Sequence, residues 1–188
     1  MKAFLRVSLL IDGLTGAIAR AMQWLTLIMV LLGAYNVVTR YVGRAIGVSL
    51  GGGVYTTLQS YAFDLVFLLA AGHVLKTDGH VRVDIIYSRL KDRTKAWVDI
   101  FGTIFFLLPF TFMGFVLSLP YVRRSWQHME VNVNSGNLPI YLIKTVIPVA
   151  FVLLALQGIS ELIKRVAYLR GVALPGKPAK PPGPAEVG

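Results

Sequence analysis

Asp64 stands near the middle of an apolar run, Val54 to Leu75, and it is the residue whose position asks most for a chemical explanation. A carboxylate surrounded by hydrocarbon is costly, so it is held against protein or faces a water-filled cavity. It can serve as an ion or proton site, or be satisfied by hydrogen bonds inside a helical bundle or at a subunit contact. The second role is favoured, because no second acid or base lies near the middle of an apolar run to make a relay. Three histidines, His73, His80 and His128, raise haem, which membrane bundles hold between axial histidines. Geometry disfavours it: His73 ends the same run as Asp64, His80 follows in a polar connection, and His128 belongs to the opposite side. No two share a depth, and no cofactor or metal is expected. The absence of cysteine removes thiol nucleophiles, disulfides and thiolate-ligated metals.

The elements that must position these residues are apolar helices. Of 188 residues, 55% are hydrophobic and 15% charged, against roughly 25% charged in a soluble domain. Crossing roughly 30 Å of hydrocarbon takes about 20 apolar helical residues. Four stretches meet that length, at about 18–38, 54–75, 97–119 and 141–163. The fold class is therefore an all-α integral membrane protein with four transmembrane helices in one domain, 18–170. Aromatic residues such as Tyr35, Tyr55, Trp97, Trp126 and Tyr141 fall mostly near the ends of the spans, where amphipathic rings prefer the headgroup layer. Pro109 and Pro148 fall inside spans three and four and are expected to kink them.

Residues 1–17 precede the spans. Phe4, Val7, Leu10, Ile11 and Leu14 recur at helical spacing, as an interfacial amphipathic helix requires. Asp12 and Gly13 interrupt the apolar core that a cleaved signal peptide would need, so this segment is expected to be retained. Residues 171–188 are rich in proline and are expected to form a disordered cytoplasmic tail.

Fourteen of the 19 lysines and arginines lie at the N-terminal end up to Arg20, in the connection after span two, and from Lys164 onward. The positive-inside rule then places both termini in the cytoplasm. The net charge of +10 sits at the ends of apolar runs rather than in one patch, which points to anionic phospholipid and not to nucleic acid.

Several local patterns recur in these segments. Asn36-Val-Val-Thr-Arg40-Tyr41 closes span one. Phe63-Asp64-Leu-Val-Phe67 and Gly72 lie in span two, and Gly79-His80-Val-Arg82-Val-Asp84 follows it. Leu107-Leu-Pro109, Ser125-Trp126 with Glu130, and Leu138-Pro139-Ile-Tyr-Leu-Ile-Lys144-Thr-Val-Ile-Pro148 complete the set. Together they make the chain, over roughly Trp24 to Lys164, similar to the DctQ-like small membrane subunits of tripartite ATP-independent periplasmic (TRAP) transporters. One departure is Gln59, near the start of span two, where many members look acidic.

The resemblance implies a small, non-catalytic scaffold subunit in the bacterial inner membrane. In the family a large multi-span membrane subunit carries the sodium-coupled elevator and the substrate site, and a periplasmic solute-binding protein delivers the solute. That solute would be an organic acid. No catalytic, substrate-binding or metal residue is expected, and Asn36, Arg40, Asp64, Gly72, His80, Arg82, Asp84, Glu130, Pro139 and Lys144 are candidates for structural or subunit-interface roles. Two other readings compete. A stand-alone carrier or channel needs polar stripes or inverted repeats, of which the sequence gives little sign. A redox membrane anchor needs axial ligands at matched depth.

Overall fold

The computed structural model describes residues 2–48, 52–77 and 91–172. Helix α1 runs from Lys2 to Ala45 and α2 from Gly53 to Lys76. Helix α3 (Asp92–Gly102) continues through a π-helical turn at Thr103–Leu107 into α4 (Leu108–Gln127), and α5 spans Ile140–Leu169. These make four helical rods long and apolar enough to cross a membrane, α3 and α4 counting as one. Large apolar side chains point outward from all of them; Phe67, Phe106 and Phe112 are each about 70% exposed. In water such a surface would aggregate, whereas in hydrocarbon it is the ordinary exterior.

Helix α1 holds 44 residues, about 66 Å at 1.5 Å per residue, twice the hydrocarbon thickness. The amphipathic segment expected at residues 1–17 and the first span are thus one unbroken helix. The third rod carries two prolines. Pro109 has no N–H and its ring crowds the carbonyl four residues earlier, and the π turn at Thr103–Leu107 immediately before it is the local accommodation. Pro120, beyond the expected span, and Pro148 both lie inside continuous helix.

The rods alternate in direction. Contacts of Ser8 with Ser160, Lys76 with Asp12, and Arg165 with Asp99 gather the start of α1, the end of α2, α3 and the end of α5 at one end. At the other end the start of α2 meets the connection before α5, where Thr57 Oγ1 lies 2.6 Å from Ser135 Oγ. Helix α5 touches all the other helices and is the centre of the bundle. A two-residue antiparallel pair, β1 (Val131–Asn132) with β2 (Leu138–Pro139), closes the connection before α5. Gly136 (φ 69°) and Asn137 (φ 58°) take the left-handed backbone that this sharp turn needs.

Where helices touch, small residues let them approach. A Cβ on Gly114 of α4 would fall 2.4 Å from the Phe151 ring of α5, which is already held edge-to-face by Phe110. Gly114→Ala should therefore destabilise the purified protein by about 1–2 kcal/mol. Gly102→Ala, with nothing within 4 Å of its Cβ, should leave stability equal or about 0.5–1 kcal/mol higher. Thermal unfolding in detergent compares the two, and equal midpoints would contradict the packing argument.

Candidate functional site

On α1, Ser8, Asp12 and Thr15 recur at helical spacing and face α5, on which Gln157, Ser160, Glu161 and Lys164 recur likewise. Gln157 and Ser160 are fully buried. One carboxylate oxygen of Asp12 accepts from Gln157 Nε2 at 2.9 Å and from Ser160 Oγ at 2.8 Å; the other accepts from Lys164 Nζ at 3.1 Å. Thr15 Oγ1 donates to Gln157 Oε1 at 2.8 Å, and Lys164 also pairs with Glu161. From α2, Lys76 Nζ donates to the Asp12 backbone carbonyl at 2.9 Å. Gly72 belongs to the same junction: a Cβ there would lie 3.4 Å from Thr15 Cγ2 and 3.7 Å from Gln157 Cβ. The junction joins α1, α2 and α5, and each strong donor in it meets an acceptor.

The opposite end has its own cluster. Glu130 pairs with Lys144 and accepts from Ser125 Oγ at 2.7 Å. Lys144 Nζ sits 4.2 Å from the centre of the Tyr121 ring. Trp126 Nε1 donates to Thr145 Oγ1 at 2.8 Å and its ring packs on Tyr141. The ammonium of Lys144, and then the Ser125 hydroxyl, hold the Glu130 carboxyl below the usual glutamate range. The backbone N–H of Ile140 donates to the Glu130 carbonyl at 2.9 Å, so the same residue helps seat the start of α5.

Of the sequence candidates, Glu130 and Lys144 meet directly, and Gly72 is buried between helices. Pro139 lies one residue outside α5, at its N-cap, and pairs with Val131 in the short sheet. Asn36 Nδ2 donates to Thr56 Oγ1 at 3.1 Å, joining α1 to α2, while Arg40, with Tyr41 and Arg44, borders a depression near the end of α1. His80, Arg82 and Asp84 lie outside the described residues, as does the tail from residue 173. His73 ends α2 and His128 caps α4 at the other end of the bundle. Asp64 is half-buried midway along α2 and, among the described residues, forms no hydrogen bond or ion pair.

Apart from Gly72, the residues of the Asp12 junction are absent from the sequence candidates. Its signal was available as two polar stripes, at 8, 12 and 15 and at 157, 160, 161 and 164, in otherwise apolar helices. Between α4 and α5 an open groove of about 370 Å³ is lined by apolar side chains such as Phe112, Phe115 and Leu156. Its one hydroxyl, on Thr111, bonds the Leu108 carbonyl of its own helix.

Fold and clusters define the class: an all-α, multi-pass membrane protein whose polar residues tie its own helices together. The family model described as "Tripartite ATP-independent periplasmic transporters, DctQ component" matches residues 29–167, and the chain belongs to that family, the small membrane subunits of TRAP transporters. No curated protein and no solved structure matches it.

Removing the Asp12 carboxylate leaves Gln157, Ser160 and Lys164 without their acceptor. Asp12→Ala should cost about 2–3 kcal/mol in detergent unfolding, and Asp12→Ala with Lys164→Met should recover part of that loss. A neutral Asp12→Ala would refute the junction's role. The depressed Glu130 pKa implies stabilisation that is full above the usual glutamate range and lost as pH falls through the lowered folded value. Unfolding midpoints taken from about pH 6 to about pH 3 should fall more steeply for the wild type than for Glu130→Gln; parallel curves would exclude the pair as their cause.

Proposed function

We propose that this chain is the non-catalytic scaffold of a TRAP transporter that imports an organic acid across the bacterial inner membrane. The match to the DctQ component over residues 29–167 carries the reading. Sodium coupling and the solute site belong to the large membrane subunit, and a periplasmic binding protein delivers the solute. Both termini face the cytoplasm, where the excess of lysine and arginine is drawn to anionic phospholipid.

The use of polar side chains supports a scaffold. Those of the Asp12 junction and of the Glu130–Lys144 cluster bond one another, holding helices rather than facing a shared space. The groove between α4 and α5 offers a carboxylate solute no cation. A solute path needs polar groups whose partners can be exchanged for the solute. Here the partners are fixed.

Reconstitution into liposomes tests this. The chain alone should give no sodium-driven uptake of any solute in an organic-acid panel. Together with the large subunit and the binding protein it should support uptake of at least one solute, and omission of this chain should abolish it. Uptake by the chain alone would overturn the proposal.

A further inference from the structure

Asp64 contrasts with every other acid described in a helix of this bundle. Asp12, Asp92, Asp99 and Glu161 each have an ion-pair partner within the chain. Asp64 has none among the described residues, although it lies about 17 Å of helix from either end of α2, at the depth where a lone charge is least tolerated. One turn earlier on α2, the Tyr61 hydroxyl is buried and also lacks a hydrogen-bond partner. Two polar groups one turn apart on α2 thus lack a hydrogen-bond partner among the described residues.

The outer face of α2 beside them is not covered by the bundle. Thr56, Ser60, Phe63 and Phe67 are exposed at helical spacing, and Phe63 and Phe67 stack on each other with ring centres 6.1 Å apart. Hydrocarbon tails satisfy the phenylalanines but not the carboxylate. A protein surface with an apolar helix and one cation satisfies both. Among the described residues no basic group pairs with Asp64: Lys164 pairs with Asp12, Arg165 with Asp99 and Lys144 with Glu130, and Lys76 bonds the Asp12 carbonyl.

We propose that this face of α2 docks a transmembrane helix of the large transporter subunit, and that Asp64 pairs there with a lysine or arginine of that helix at mid-membrane depth. The inference rests on the scaffold reading above and adds the face and the chemistry of its partner. The aromatic pair supplies contact area, and the charge pair fixes depth and register, since a displacement of one turn would leave both charges alone in hydrocarbon.

The test uses the assembled transporter. A photo-crosslinking benzoylphenylalanine placed at Phe63 or Phe67 should capture the large subunit. Asp64→Leu should lower co-purification of the large subunit by about tenfold or more, with the chain's own membrane level and unfolding midpoint unchanged or raised. Asp64→Asn, which keeps the hydrogen bond but not the charge, should lose less, and Asp64→Lys should lose most. The proposal is overturned if Asp64→Leu co-purifies in full, if neither position crosslinks to the large subunit, or if Asp64→Asn assembles normally but loses sodium-driven uptake, which would make Asp64 an ion site. Failure of the wild-type chain to co-purify would instead defeat the scaffold reading, and this inference with it.

Discussion

Asp12 accepts hydrogen bonds from two residues of α5 with one oxygen and a lysine with the other, while its backbone carbonyl takes a third helix's ammonium. In hydrocarbon, helices gain nothing from mutual apolar burial, because lipid is as apolar as leucine. What distinguishes one arrangement from another is close packing and polar groups that must find partners. Gln157, fully buried, bonds Thr15 and Asp12 at once. Sliding α1 along α5 by a turn would strand Gln157, Ser160 and Asp12 together, so this junction sets the register of the bundle. Glycine at position 72 lets α2 reach the same point.

The second cluster does the complementary job at the far end. A helix that starts after a short polar connection needs its entry angle fixed. Glu130 fixes it through its side chain on Lys144 and its carbonyl on the Ile140 amide, two bonds to the first turns of α5. Trp126 and Tyr141 close over the same corner. Between the clusters α5 packs mainly by shape, with Phe151 filling the space that Gly114 leaves on α4. Register is therefore set by polarity at the ends and by volume in the middle.

These two devices were not equally legible in the sequence. Four apolar stretches separated by basic connections define the spans, because length and hydropathy are local properties of the chain. Gly136 and Asn137 are residue types that accept the positive φ this turn needs, so the turn too is a local property. Glu130 and Lys144 stood out as charges near span ends, although their pairing depends on how the connection folds back. The Asp12 junction was harder: its two halves lie about 145 residues apart, and Asp12 reads locally as a break in an amphipathic run. The continuity of α1 was likewise hidden, because an interfacial helix and a span differ in surroundings rather than in backbone preference. Pro109 signalled a disturbance in span three but not its form, since a kink and a π turn both answer a missing donor.

The bundle's internal economy also explains why Asp64 stands apart. Polar residues at the ends have neighbours in the chain and a nearby interface with water, so their hydrogen bonds can be completed without a partner protein. At the midpoint neither is at hand, and a carboxylate placed there is favourable only when something outside the bundle completes it. A mid-membrane carboxylate left open by a chain that pairs its other described helical acids internally marks the face on which that chain is incomplete by itself.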